Sequence, residues 1–138
     1  YLDLQSVGQK LQLKELEFMQ KLKTGSLIQS AIEMGGMCAV RMGSQERFAL
    51  LEFANKIGRV FQVIDDLLDS GANTSTLGKT SGKDVRDNKP NFVSSLGIDG
   101  ARDYAVGLQE EAMGKLAIFS GRGRRLAEIA SYIIDRKF

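Results

Sequence analysis

The sequence contains a single proline, Pro90, in 138 residues. Because proline has no amide hydrogen and usually ends a helix, its near absence permits long uninterrupted helices. Apolar residues recur at helical spacing along most of the chain, whereas the strict alternation of half-buried strands is missing. A chain of this length fits one domain. We therefore predict an all-α helical bundle that forms one domain over residues 1–138.

The apolar spacing also predicts where the helices begin and end. Lys23-Thr24-Gly25 interrupts the first amphipathic stretch, Ser44 is the predicted N-cap of the second helix, and Gly121-Arg122-Gly123 is a predicted break. The predicted helices run from Leu13 to Gly35-Gly36, from Gln45 to Asp69, from Phe92 to Leu96, from Gly100 to Phe119 and from Leu126 to Ile134. Residues 70–89 hold glycines and small polar residues with almost nothing to bury, so they form either a functional loop or a connector.

The composition excludes several classes of protein. Lys and Arg number 19 against 17 Asp and Glu, a balance too even for a nucleic-acid binder. The chain has no histidine, so a His-ligated zinc or haem site is excluded and catalysis would rest on carboxylates, lysines and bound metal. No apolar run approaches the ~18–20 residues of a membrane span. The single cysteine, Cys38, excludes an intramolecular disulfide and fits a reducing compartment, so we predict a cytoplasmic protein.

Three carboxylates meet at the end of the second predicted helix, at Asp65, Asp66 and Asp69. Residues four apart share a helix face, so Asp65 and Asp69 repel each other, and anions at a helix C-terminus oppose the helix dipole. A hard divalent cation would neutralise such a group, and oxygen ligands without nearby His or Cys favour Mg²⁺. The alternative is a solvated acidic face without a ligand.

Two basic elements accompany these carboxylates. Lys23 and Thr24 stand at the helix interruption, and Lys79, Lys83 and Lys89 follow within the glycine-containing segment. Lysines beside a metal-binding carboxylate cluster suit a polyphosphate that bridges both kinds of group. Each lysine taken alone is as readily explained as a solvated surface charge, whereas the combination indicates a phosphate site.

The segments KTGSLIQSAI, FQVIDDLLD and LGKTSGKDVRDNKP occur in this order. Together they resemble the C-terminal half of trans-isoprenyl diphosphate synthases of the polyprenyl synthetase family, and the nearest likeness is the bacterial farnesyl or geranyl type. The resemblance covers essentially the whole chain. It implies the C-terminal part of the isoprenoid synthase fold, with the N-terminal helices of that fold absent.

The resemblance also implies roles for nine residues. Asp65, Asp66 and Asp69 match the second aspartate-rich motif, which binds Mg²⁺ in this family. The remaining six match groups that contact substrate: Lys23 and Thr24 at the allylic diphosphate, Phe61 and Gln62 at the reacting groups, and Lys79, with Lys89 as a second lysine, at the leaving pyrophosphate. By the same resemblance, the catalytic residues are Lys23, Thr24, Asp65 and Lys79.

The implied activity is the condensation of isopentenyl diphosphate with an allylic diphosphate to form geranyl or farnesyl diphosphate. We expect the enzyme to be a homodimer that binds no nucleic acid and has no membrane span. The first aspartate-rich motif and the isopentenyl diphosphate site of the family lie on helices that precede this segment, so we expect the segment alone to be inactive. Two alternatives remain. One is a non-catalytic diphosphate-binding or regulatory subunit that pairs with a full-length synthase, and the other is a structural helical interaction module.

Overall fold

The computed structural model describes residues 11–39, 41–70 and 90–136. Five α-helices account for most of these residues: α1 (Leu13–Gln20), α2 (Ser26–Met37), α3 (Ser44–Asp69), α4 (Phe92–Lys115) and α5 (Arg124–Ile134). A π-helical turn, Lys21–Gly25, joins α1 to α2, and a 3₁₀ segment, Leu116–Gly123, joins α4 to α5. The described ranges contain no strand, which confirms the all-α prediction. Within those ranges no helix is both long and apolar enough to cross a membrane.

Helix α3 forms the centre of the bundle. Its 26 residues span about 39 Å at the usual helical rise. Every other described helix, the π-helical turn and the 3₁₀ segment all contact it. One face of α3 is buried along nearly its whole length, and this face carries Leu50, Phe53, Ile57, Val60, Val63, Ile64 and Leu67. The apolar repeat that predicted the helix is therefore the repeat that builds the core.

Helix α4 packs along α3 through small side chains. Ala101, Ala105 and Ala112 are buried at helical spacing, and such residues allow two helix axes to approach closely. Gly97 has φ 74° and divides α4 into a short N-terminal turn and a longer helix. This kink confirms the predicted separation between residues 92–96 and the helix from Gly100. A second irregular residue, Ser120 with φ 51°, lies one position before the predicted break at Gly121.

Three predicted helix boundaries are wrong. The helix predicted from Gly100 to Phe119 ends at Lys115, where the 3₁₀ segment Leu116–Gly123 begins. The other two errors have a physical reason. Gly43, not Ser44, is the N-cap of α3, because the Glu46 carboxylate accepts the Gly43 N–H at 2.9 Å. Helix α2 continues through Gly35 and Gly36 to Met37. A Cβ at position 36 would lie 2.6 Å from Leu50 Cδ2, so this glycine serves close packing within a helix. Tertiary contact outweighs the weak helical preference of glycine here.

Candidate diphosphate and metal site

The predicted helix interruption is a π-helical turn that lies against α3. The turn, Lys21–Gly25, carries Lys23, whose side chain is exposed, and Thr24, which is half-buried. A Cβ at Gly58 of α3 would lie only 3.1 Å from the Gly25 Cα. The two backbones therefore cross closely, and glycine at both positions permits that approach. This crossing fixes where Lys23 and Thr24 stand relative to α3.

The face of α3 that meets the π-helical turn also leads to the acidic end. At 3.6 residues per turn, positions 58, 62, 65 and 69 fall on one side of a helix. Gln62 is buried, at 4% exposure, whereas Asp65 and Asp69 are exposed. Asp65 lies two turns beyond Gly58, which is about 10 Å along the helix axis. The crossing of the π-helical turn at Gly58 thus lies on the same side of α3 as Gln62, Asp65 and Asp69.

Asp66 differs from its two acidic neighbours. Its side chain is buried, at 7% exposure, and its Oδ2 accepts the Phe92 N–H at 2.8 Å. Phe92 is the first residue of α4, and its N-cap Asn91 accepts the Ser94 N–H through Oδ1 at 2.7 Å. The start of α4 is therefore held both by its own N-cap and by a carboxylate from α3.

Phe61 lies on α3 one turn before Asp65 and is half-buried. The Arg136 guanidinium lies over its ring, 4.5 Å from the ring centroid, which is a cation–π geometry. Sequence reasoning did not assign Arg136 to this region. The available signal was only a basic residue just after the last amphipathic helix, and such residues are usually solvated.

A half-buried polar contact links α1, α3 and α4. The Tyr104 hydroxyl donates to Glu17, and Arg59 pairs with the same carboxylate at 3.4 Å. Burial, together with the neighbouring Glu17, raises the pKa of Tyr104 to about 12. The phenol therefore stays protonated at neutral pH and acts as a permanent hydrogen-bond donor.

Oxygen ligands for a cation are present at the acidic end. In the three described ranges no cluster of three Asp, Glu or Cys side chains lies close enough together to hold a metal ion. Asp65 and Asp69 nevertheless give two exposed carboxylates on one face, and Mg²⁺ commonly uses one or two carboxylates with water and phosphate oxygens. The donor set fits Mg²⁺. The other predicted phosphate ligands, Lys79 and Lys89, lie outside the described residues.

Comparisons with known proteins agree with this arrangement. The farnesyl diphosphate synthase of Escherichia coli strain K12 is 37% identical over 138 residues, which covers 98% of this chain and 46% of that protein. The crystal structure of an FPP/GFPP synthase from Zymomonas mobilis has a TM-score of 0.77 and 30% identity, covering 96% of this chain and 42% of that chain. A geranyltransferase from Helicobacter pylori, complexed with magnesium and isoprenyl diphosphate, has a TM-score of 0.76 and 29% identity, covering 97% of this chain and 44% of that chain.

The chain therefore spans less than half of the length of these relatives. The sequence profile of one family, described as Polyprenyl synthetase, matches residues 1–115. This match covers the Lys-Thr pair, the three aspartates and the segment with Lys79 and Lys89. The resemblance inferred from the sequence motifs is confirmed, and the chain belongs to the polyprenyl synthetase family.

Proposed function

We propose that this chain supplies part of the active site of a Mg²⁺-dependent trans-prenyltransferase that condenses isopentenyl diphosphate with an allylic diphosphate. The observation that carries the proposal is the shared face of α3, where the π-helical turn with Lys23 and Thr24 meets the helix at Gly58 and Asp65 and Asp69 follow. Opposite charges at the two ends of one face suit a diphosphate bound together with a cation. The names of the relatives, farnesyl diphosphate synthase and geranyltransferase, support the same reaction class.

We assign Mg²⁺ to Asp65 and Asp69. When bound, the ion would neutralise charge on the diphosphate oxygens. Support comes from the exposed carboxylates on one helix face and from the magnesium in the Helicobacter pylori complex. Lys23 would bind the diphosphate from the opposite side, and the Thr24 hydroxyl would donate to one of its oxygens. Lys79 and Lys89 keep their predicted role at the leaving pyrophosphate.

In this reaction the chain would mainly stabilise charge on the leaving group and exclude water from the site. The C–O bond of the allylic diphosphate breaks heterolytically, and the electron pair leaves with pyrophosphate while an allylic cation remains. The double bond of isopentenyl diphosphate attacks that cation, and a proton is then lost to pyrophosphate. Lys23 and Thr24 would stabilise the leaving group, whereas Phe61 and Gln62 would contact the reacting carbon chains. None of these steps requires a histidine.

The test is condensation of radiolabelled isopentenyl diphosphate by the purified chain, alone and mixed with a separately expressed N-terminal half of a family member. We expect no turnover by the chain alone, because the facing aspartate motif and the isopentenyl diphosphate site of the family lie elsewhere. On mixing, we expect activity that Asp65→Ala lowers by about a hundredfold or more.

Asp99→Ala is the matched control, since the Asp99 side chain on α4 is 94% exposed and pairs only with Arg102 at 3.4 Å among the contacts described. It should keep the activity of the mixture. Turnover by the chain alone would contradict the expected division of the active site. Mg²⁺-dependent pyrophosphate binding without turnover in any mixture would favour the non-catalytic subunit instead.

A further inference from the structure

We propose that Asp66 is a positioning residue that attaches the start of α4 to the acidic end of α3, and that it is not a third metal ligand. The inference rests on the proposed function, since it divides the work of the three aspartates at the same site. Asp65 and Asp69 bind the cation, and Asp66 stabilises the packing of α4 against the end of α3 that carries them. The sequence motif alone gives the three residues the same role.

The first argument is the direction in which each side chain points. Asp66 follows Asp65 by one residue, which turns its side chain by about 100° around α3. That rotation takes it from the exposed face to the side of Val63 and Leu67, where it is 7% exposed. A carboxylate buried to this extent must have compensating partners, and the Phe92 N–H at 2.8 Å is one of them.

The second argument is electrostatic. Phe92 opens the short N-terminal turn of α4 that precedes the kink at Gly97, and the first N–H groups of a helix have no acceptor within it, so Asp66 accepts one of them. All three carboxylates lie at the C-terminal end of α3, where the helix dipole disfavours negative charge, and Asp66 offsets this cost through the Phe92 N–H. The charge on Asp66 is thus stabilised in part by a protein N–H, whereas Asp65 and Asp69 are exposed on the face that we assign to the cation.

The third argument is what the anchored residue touches. The Phe92 ring is fully buried and stacks on Tyr104, with ring centroids 5.8 Å apart. Tyr104 in turn donates to Glu17 of α1, the helix that continues into the π-helical turn with Lys23. Asp66 therefore begins a continuous set of contacts from the acidic end of α3, through α4, to the helix that leads to the Lys-Thr pair. Loss of this anchor should loosen both ends of the site.

Asparagine and alanine at position 66 separate the two roles. Asp66→Asn keeps an oxygen that can accept the Phe92 N–H and should weaken Mg²⁺-dependent binding of inorganic pyrophosphate, measured by calorimetry, by less than about threefold. Asp66→Ala removes the acceptor and should weaken it by about tenfold, as is typical when a supporting partner of a metal site is lost. Asp65→Asn should weaken binding by more than either change.

Asn91→Ala is the control for a merely structural effect, since it removes the N-cap side chain of the same helix and leaves the Asp66 carboxylate in place. Asn91→Ala and Asp66→Ala should both lower Tm, whereas Asn91→Ala should leave pyrophosphate binding within about threefold of wild type. Equal loss of binding in Asp66→Ala and Asn91→Ala, or equal loss in Asp66→Asn and Asp65→Asn, would overturn the proposal.

Hydrogen exchange at the Phe92 amide tests the anchor without any ligand. Asp66→Ala should speed exchange of this amide at least tenfold, and Asp66→Asn should preserve its protection. Unchanged protection in Asp66→Ala would reject the anchor. If the wild-type chain fails to bind pyrophosphate with Mg²⁺, the proposed function is wrong while the exchange measurement still decides the role of Asp66 in the fold.

Discussion

At the scale of single residues, closely packed glycines decide how the site is built. The sequence indicated Gly25 as a helix interruption, but it gave no reason to single out Gly58 within a strongly helical stretch. The reason is the 3.1 Å that would separate a Cβ at position 58 from the Gly25 Cα, a contact between residues 33 positions apart. Such contacts leave no local sequence signal, so the acidic motif could be predicted and its position against the π-helical turn could not.

Gly58→Ala tests this crossing. The added methyl group should push the π-helical turn away from α3 and lower stability by about 1–3 kcal/mol, as is usual for overpacking. Gly107→Ala is the matched control, because a Cβ there meets nothing within 4 Å and the residue lies within α4. It should stabilise the chain by up to about 1 kcal/mol through helix propensity. Urea unfolding of both variants measures the difference, and equal stability of the two would contradict a tight crossing.

At the scale of elements, the periodicity of apolar residues predicted the helices well, whereas some of their ends depended on side-chain contacts that the periodicity does not contain. The extent of α3 and the kink before the main part of α4 followed from local sequence. The N-terminus of α3 was predicted one residue too late, because Glu46 accepts the N–H of Gly43, three residues before it, and the same carboxylate also pairs with Arg122, 76 residues away. Likewise, nothing near Asp66 in the sequence indicated that its carboxylate would accept the Phe92 N–H at the start of α4.

The double role of Glu46 predicts a pH dependence of stability. The Gly43 N–H and the Arg122 guanidinium hold the pKa of Glu46 below its ordinary value. A lowered folded-state pKa means that the stabilisation is complete above the unfolded pKa, about 4.3, and is lost as pH falls through the folded value. Glu46→Gln should therefore be less stable than wild type at pH 7, and the gap should close on acidification below about pH 4.

Thermal unfolding of wild type and Glu46→Gln at several pH values checks this expectation. Because the Glu46 carboxyl is solvent-accessible, salt should also narrow the gap at pH 7. A gap that stays constant from pH 7 to pH 3 would show that the charge of Glu46 plays no part.

At the scale of the whole molecule, apolar side chains remain exposed in the first part of the chain. Six large ones lie between residues 18 and 48, and most are on α1, the π-helical turn and α2: Phe18, Leu22, Leu27, Met34, Met37 and Phe48. Exposed apolar surface of this kind marks regions that other protein surfaces cover. Homodimer formation and contact with the remaining part of a synthase both remain predictions for this surface.

We expect the chain by itself to self-associate through this surface. Leu27 and Met37 are 73% and 70% exposed, so Leu27→Glu combined with Met37→Glu should shift the population towards monomers without loss of helix content. Light scattering with circular dichroism measures both properties. Ile129→Glu on α5, where the side chain is 53% exposed, is the control and should leave association unchanged. A wild-type chain that stays monomeric at high concentration would contradict the prediction.

The π-helical turn changes which apolar residues of α2 face the core. In one continuous α-helix, Leu27 and Met34 would lie on the same side as Leu16, which is fully buried. The wider turn at Lys21–Gly25 holds one residue more than an α-turn, so everything after it is rotated by about a quarter turn. After this rotation Ile28 and Ile32 replace Leu27 on the side of the helix that faces the core, and Ile32 packs against the core. Leu27 and Met34 are exposed to solvent. One local change of winding thus both shapes the backbone around Lys23 and Thr24 and creates the apolar surface of α2.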